Sequence, residues 1–176
     1  ERVNSRGANE FLHRLLLRSL EYVVEGEAKP SALLRRFTGI YVQDSSKVEL
    51  PAQFAAVWQG NQEQQATLKV QTVLDYRSGK LDFRLASGRQ HDCPLQTTDL
   101  PAGSLRLADV GYFKVGVFKT LNARGVAWLS RLPARVGLWT GEKVTHVLDW
   151  LNRHPGDCLD HWVELTAQRF PARLIA

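Results

Sequence analysis

Apolar residues at helical spacing mark the amino-terminal part of the chain. Within residues 8–25 they recur every three or four positions, at Phe11, Leu12, Leu15, Leu16, Leu20 and Val23. This period predicts an amphipathic helix, and Asn4 or Ser5 upstream can cap it. A short second helix is predicted over 31–36, because Pro30 suits the first turn of a helix.

A strand-like segment follows, and an acid interrupts it. The segment is residues 39–51, GIYVQDSSKVELP. It opens with apolar residues that favour a strand, then reaches Asp44, and resumes alternation at Val48 and Leu50. The pattern predicts a strand and leaves open why a carboxylate stands within it.

A β-hairpin is predicted in the middle of the chain. Alternating residues flank a turn at 77–80, with Leu68, Val70, Thr72 and Leu74 before it and Leu81, Phe83 and Leu85 after it. Period-two alternation around a turn that contains glycine is typical of two antiparallel strands.

Strands and helices alternate in the remainder. A strand over 104–108 precedes a helix over 115–123 that ends at Gly125, and another strand follows in 126–132. Beyond them the chain is strand-rich, with strands predicted in 134–140, 160–168 and 172–176 and a helix around 143–152. The order of strand, hairpin, strand, helix and strand predicts an α/β fold, in which a mixed sheet carries helices on its faces.

The charge balance favours an anionic partner. The formal net charge is +5, and 16 of the 23 cationic residues are arginine, whose planar guanidinium suits phosphate. A solvated surface of mixed charge fits the same composition. Cys93 and Cys158 are far apart in sequence, which is typical of a reducing compartment, so we expect a cytoplasmic protein. The chain begins with Glu1 and contains no methionine, so we expect a piece of a longer or processed product.

Asp44 and Asp109 share a position relative to the predicted strands. Each follows an apolar strand run and precedes small or polar residues. If the two strands are parallel neighbours, about 5 Å apart, the carboxylates face a common point. Such a pair binds a hard divalent cation such as Mg²⁺, which assists phosphoryl transfer. The residues fit turn caps as well, Asp44 with the serines behind it and Asp109 in an Asx-turn before Gly111, so both interpretations stay open.

Four motifs resemble the successive blocks of a known family. They are IYVQDSSKVELP, LKVQTVLDYRSGKL, SLRLADVGYF and ARGVAWLSRL, and the resemblance runs from about Phe11 to the carboxyl end. The most specific part is the combination of LADVGYF, a helix and GVAWLSR. It resembles the corresponding segment of the DDE transposases of bacterial insertion sequences, in the cut-and-paste branch with a β-rich insertion. The catalytic domain of that family is ribonuclease H-like, with one acid on the first strand and another after the fourth strand. The resemblance assigns these positions to Asp44 and Asp109.

The resemblance also implies a reaction and its partners. Asp44 and Asp109, with a third acid, would hold two Mg²⁺ or Mn²⁺ ions for DNA cleavage and strand transfer. The implied partner is double-stranded DNA, both at the transposon ends and at the target. The resemblance implies a homo-oligomer that binds this DNA at the nucleoid, with no membrane partner. We accordingly divide the chain into a helical segment at 1–37, an incomplete ribonuclease H-like core at 38–132 and the start of a strand-rich insertion at 133–176.

One part of the family pattern does not occur in the sequence. The third acid of the family is a glutamate on a helix after the insertion, within a spaced set of Tyr, Arg, Glu and Lys. Glu142 and Glu164 do not fit that set. We therefore expect the glutamate beyond residue 176, and no strand transfer by this chain alone. Two other interpretations stay open: a non-catalytic remnant that binds DNA or inhibits the intact transposase, and another ribonuclease H-like nuclease with its third acid elsewhere.

Two groups of residues contain side chains that are typical of zinc sites or of thiol nucleophiles. His154, Cys158 and His161 have the types and spacing of zinc ligands but no clear fourth ligand. Residues 91–93, His-Asp-Cys, could suggest a thiol nucleophile, yet they lie at the exit of the predicted hairpin. We interpret residues 91–93 as a surface turn.

The remaining candidates are isolated residues. Tyr112 and Phe113 are interpreted as core rather than as base-stacking residues, and Asp75 and Asp82 as solvent-facing residues beside the hairpin turn. Four cations are candidate phosphate contacts, each weak by itself: Lys69, Lys114, Lys119 and Arg131.

Overall fold

The computed structural model describes residues 5–26, 32–62, 65–92, 97–154, 156 and 158–176. Within these ranges the helices and strands are, in chain order, α1 (Arg6–Gly26), β1 (Ile40–Leu50), β2 (Ala66–Asp75), β3 (Leu81–Ser87), β4 (Leu105–Ala108), α2 (Val115–Ala123), β5 (Ala127–Ser130), β6 (Gly137–Thr140), β7 (Lys143–His146), α3 (Val147–Asn152), β8 (Asp160–Leu165) and β9 (Phe170–Ile175). Short 3₁₀ turns lie at Leu34–Arg36, Ala52–Phe54 and Val110–Tyr112.

The first five strands form a mixed sheet in the order β3-β2-β1-β4-β5. β1, β2 and β3 are antiparallel neighbours, whereas β4 and β5 run parallel to β1. α2 connects the two parallel strands, and Gly125 ends it in the left-handed region at φ 69°. The predicted α/β fold, with the ribonuclease H-like mixed sheet and flanking helices, is confirmed.

The last four strands form an antiparallel sheet in the order β7-β6-β8-β9. Here the helix predicted around 143–152 is wrong in its first half, because residues Lys143–His146 form β7 and only Val147–Asn152 are helical. The physical reason lies in the turn before β7. Gly141 adopts φ 78° and lets the chain pair back on β6, where the β-branched Val144 and Thr145 suit a strand.

The amino-terminal helix is confirmed, and Ser5 caps it. The backbone N–H of Ala8 donates to Ser5 Oγ at 3.2 Å, while Asn4 lies outside the described residues. Most of the apolar stripe of α1 is exposed, with Phe11 64 % exposed and Leu15 51 %. No helix in the described ranges is long and apolar enough to cross a membrane.

The helix predicted over 31–36 is shorter than expected. Only Leu34–Arg36 form a turn, of the 3₁₀ type, and Ser31 lies outside the described residues.

The hydrophobic core joins α2 to the second sheet. Its buried members are Leu100, Val115, Phe118, Leu121, Val126, Val136, Leu138, Val147, Trp150, Val163, Leu165, Phe170 and Ala172. Phe118 has no exposed surface and stacks on Trp128 of β5, with ring centroids 4.0 Å apart. Through this pair, α2 holds β5 in place beside the second sheet.

The first sheet buries polar side chains. Gln43 of β1, Lys69 and Gln71 of β2, and Arg106 of β4 are each at most 3 % exposed. The hairpin was predicted correctly, but its alternating apolar residues point to the other face, where Phe83 remains 51 % exposed. Alternation therefore predicted the strands without predicting which face is covered.

Candidate metal centre

Asp44 and Asp109 each come one residue after the last paired residues of two neighbouring strands, β1 and β4. β1 and β4 are parallel neighbours, and their last paired residues are Gln43 and Ala108. The next residue on each chain is the acid. Since neighbouring strands are about 5 Å apart, both carboxylates start from adjacent backbone positions, as the parallel arrangement predicts. β1 continues past the acid, because Asp44 also pairs with Thr72 of β2.

Both acids line one open cavity of about 400 Å³ at the ends of β4 and β5. Its lining residues are Val42, Gln43, Asp44, Leu107, Ala108, Asp109, Leu129, Ser130 and Arg131. Asp44 and Asp109 are solvent-exposed, so that a hydrated cation can reach them without rearrangement of the fold. Two accessible carboxylates on one wall are an oxygen donor set that suits Mg²⁺ or Mn²⁺.

The turn-cap interpretation fits neither acid, because Asp44 and the two serines after it lie within β1 and Asp109 makes no capping bond. Asp44 Oδ1 accepts a hydrogen bond from the backbone N–H of Ser45 at 2.7 Å, which orients the carboxylate locally. Asp109 precedes the turn Val110–Tyr112 but makes no side-chain capping bond. Its Oδ1 instead lies 3.3 Å from Arg131 Nη1.

The candidate phosphate contacts fall into two groups. Lys114, Lys119 and Arg131 are exposed, and Arg131 lies in the wall of the cavity itself. Lys69, in contrast, is 3 % exposed and its ammonium donates to Asp92 Oδ1 at 2.9 Å. Because burial and this ion pair occupy its charge, Lys69 is not available to a phosphate on the surface.

Asp92 connects several buried polar groups, while the exposed His91 and the bend at Asp92 agree with the surface turn predicted there. Gln71 Nε2 donates to Asp92 Oδ1 at 2.5 Å, beside the Lys69 bond. Lys69 also donates to the carbonyl oxygen of Gln90, and the Tyr112 hydroxyl donates to Gln71 Oε1. Cys93 lies outside the described residues. We define these residues, Lys69, Gln71, Asp92 and Tyr112, as the buried polar cluster.

The pKa values in this cluster are shifted in opposite senses. Burial alone would raise the pKa of the Asp92 carboxyl, but hydrogen bonds and the Lys69 ammonium outweigh burial and hold this pKa below its usual value. The hydrogen bonds come from Lys69, Ser45 and Gln71. Because the folded-state pKa is lowered, Asp92 stabilises the fold at neutral pH, and this contribution is lost as the pH falls through that pKa. Burial raises the pKa of the Tyr112 phenol to about 12, so the hydroxyl stays a donor.

Tyr112, Phe113 and Asp82 lie where they were expected, whereas Asp75 is less exposed than predicted. Tyr112 is buried, and Phe113 packs against the hydrophobic core. Asp82 is exposed beside Lys80, at 3.3 Å. Asp75 is half-buried, and its carboxylate accepts bonds from the turn residues that follow it.

No metal site forms in the described ranges at the zinc-like residues 154, 158 and 161 or at Glu142 and Glu164. His154 Nδ1 lies 2.8 Å from the carbonyl oxygen of Trp150, and its ring stacks on the Trp150 indole. Glu164 pairs with Arg169 at 2.6 Å, and Glu142 is exposed in the turn between β6 and β7. Among the residues that the structure describes, no three His, Cys, Asp or Glu side chains are placed to share a metal ion.

Comparison with known proteins gives consistent matches. Residues 35–176 match the family model for the transposase DDE domain. The transposase of insertion sequence element IS231C from Bacillus thuringiensis subsp. berliner is 27 % identical over 153 residues, which cover 78 % of this chain and 32 % of the relative. The IS231D transposase from Bacillus thuringiensis subsp. finitimus is 31 % identical over 114 residues, which cover 61 % of this chain and 24 % of the relative. The chain thus spans about a third or less of the length of the curated relatives it matches.

Proposed function

Because the chain belongs to the DDE transposase family, we propose that Asp44 and Asp109 are two of the metal-binding acids of its catalytic domain. The observation that carries this proposal is the shared position of the two acids, one residue beyond the pair Gln43 and Ala108 and in the wall of one cavity. The proposed reaction is the cleavage of double-stranded DNA at transposon ends, followed by strand transfer into target DNA.

The two acids fit Mg²⁺ or Mn²⁺, with two ions in the complete site. When bound, these ions would activate water against the scissile phosphate and then the freed 3′-hydroxyl against the target. In this chain, β1 and β4 fix the spacing of the carboxylates, and the Ser45 N–H orients Asp44. The Arg131 guanidinium lies 3.3 Å from Asp109 Oδ1, where it would balance part of the carboxylate charge. We further propose that neither Glu142 nor Glu164 is the third acid, since both lie outside the lining of this cavity.

Metal binding by the chain itself tests this site. We expect Mn²⁺ to bind weakly, and Asp44→Asn and Asp109→Asn each to lower the affinity by at least about tenfold, because each removes a direct ligand. The loss of the free Mn²⁺ signal in electron paramagnetic resonance measures the binding. Asp82→Asn is the matched control, because it removes an exposed acid of the hairpin. If all three variants bind Mn²⁺ like the original chain, the two acids are not a metal site.

Three exposed cations are proposed to contact the DNA backbone. Arg131 lies in the wall of the cavity, Lys114 directly precedes α2 in the segment after Asp109, and Lys119 lies within α2. Phosphate contacts of this kind position the duplex without reading its sequence.

The salt dependence of DNA binding measures these contacts. We expect Lys114→Ala combined with Arg131→Ala to make the slope of log K against log salt less steep by about 1.8, since each phosphate contact contributes about 0.9. Gel-shift titrations at several salt concentrations provide the slope. The control pair is Lys80→Ala with Arg124→Ala, which removes the same charge near the opposite ends of the strands. Equal slopes for the two pairs would show that charge in general, rather than this surface, binds DNA.

The cellular location and the oligomeric state are inferred from the family and stay proposals. We infer that the protein acts in the cytoplasm at the nucleoid and forms a homo-oligomer on DNA. The division into 1–37, 38–132 and 133–176 is likewise proposed, and the separate sheets at 40–130 and 137–175 support it.

A further inference from the structure

The buried polar cluster lies on the opposite face of the first sheet from the two acids. Successive residues of a strand point to opposite faces, so Ser45 points away from Asp44. Ser45 pairs with Gln71 of β2 and therefore shares its face. Ser45 therefore faces the Asp92 carboxyl and the Tyr112 phenol, and it contributes to the shifts of their pKa values.

Asp92 also touches the backbone that follows Asp109. A Cβ atom added to Gly111 would lie 3.2 Å from Asp92 Oδ2, closer than an ordinary van der Waals contact. The glycine therefore leaves room for the carboxylate, two residues after Asp109. Next in the chain, the Tyr112 hydroxyl reaches Gln71, which itself donates to Asp92.

One carboxylate thus contacts both acid-bearing segments. Lys69 and Gln71 of β2 donate to it, Gln71 is the strand partner of Ser45, the residue after Asp44, and the carboxylate lies against Gly111 in the turn after Asp109. Lys69 and Gln71 are each 3 % exposed, so the anchor lies in the interior, where a misplaced polar group is costly.

We propose that Asp92 is a positioning residue that holds Asp44 and Asp109 at the spacing a metal ion requires. It acts through Ser45 on one side and through the Gly111–Tyr112 backbone on the other, and it does not touch the metal. This inference rests on the proposed metal site, and it assigns a role to a residue outside the cavity.

The test compares Mn²⁺ affinity in four forms of the chain. Asp92→Asn keeps the size of the side chain but removes its charge, and we expect about a tenfold loss of Mn²⁺ affinity, as for other groups that orient metal ligands. Ser45→Ala removes only the hydroxyl and is expected to lose severalfold. Because Asp92 acts on Asp44 through Ser45, the double variant should lose less than the product of the two single losses. Circular dichroism checks that each variant stays folded.

Independent outcomes separate the two proposals. If Mn²⁺ binding by the original chain does not depend on Asp44 and Asp109, the metal site itself fails. If it does depend on them, but Asp92→Asn and Ser45→Ala bind Mn²⁺ like Asp82→Asn, the positioning role alone is overturned. If Asp92→Asn does not fold, Ser45→Ala decides, because an unchanged affinity in that variant contradicts the role. Multiplicative losses in the double variant would also contradict it, since they indicate two unrelated structural effects.

Discussion

Replacement of Asp109 by asparagine in a full-length transposase that contains this chain is expected to lower the rate of DNA cleavage by about 10³-fold. Bound metal ions supply several kcal/mol of transition-state stabilisation, and a loss of about 4 kcal/mol corresponds to that factor. Asparagine keeps the shape of the side chain but removes the charge that attracts the cation. Asp44→Asn should have an effect of the same size, because the two acids occupy equivalent positions on neighbouring strands.

Single-turnover cleavage of DNA that carries the transposon end measures this rate. Binding of the same DNA without divalent metal should stay within about twofold, since phosphate contacts and not the acids supply the affinity. Asp82→Asn, on the exposed hairpin, should cleave normally. A rate for Asp109→Asn within tenfold of the original would show that this acid does not hold the metal.

Phe118→Ala is expected to destabilise the fold by about 3–5 kcal/mol, the usual range for a large aromatic residue removed from a core. The side chain has no exposed surface and contacts aromatic rings from three directions. It stacks on Trp128 at 4.0 Å, meets Phe113 edge-on at 5.2 Å and lies 6.5 Å from Phe170 of the second sheet. Since small domains are stable by only about 5–15 kcal/mol, this loss is a large fraction of the total.

Urea denaturation gives the free energy of unfolding for the comparison. Phe11→Ala is the matched control, because Phe11 is 64 % exposed on α1, and its removal should change the stability by no more than about 0.5 kcal/mol. Phe118→Leu keeps most of the volume and should cost clearly less than alanine. Similar losses for Phe118→Ala and Phe11→Ala would mean that α1 packs as firmly as the core, against the exposure of its apolar stripe.

Local patterns predicted most of the elements of this fold. Alternation gave β2 and β3, and the glycine at 125 gave the end of α2, because both signals depend on neighbours in sequence. The local pattern over Lys143–His146 predicts a helix, since only the pairing of this segment with β6 identifies it as a strand. Tertiary pairing of this kind overrides a weak local preference.

The candidate site also has one part that local sequence predicts and another part that depends on contacts in the folded chain. The adjacent positions of Asp44 and Asp109 could be predicted because each acid follows a recognisable strand run within a family motif. The proposed role of Asp92 could not, because it depends on Lys69, which is 23 residues away in sequence and pairs with Asp92 only in the folded state. Lys69 carries no local sign of burial either, since its neighbours Leu68 and Val70 suggest that the opposite face of β2 is covered.

The shared hydrophobic core has a consequence for recombination between relatives. The first sheet buries Gln43, Lys69, Gln71 and Arg106, whereas the apolar core consists mostly of residues after 135, joined to α2 through Phe118. A gene exchange with its crossover between β5 and β6 would therefore separate α2 from the side chains it packs against. A crossover between Asp109 and α2 would keep all of this core except Leu100 together, and it would leave Asp44 and Asp109, with β1 and β4, on the other side of the junction.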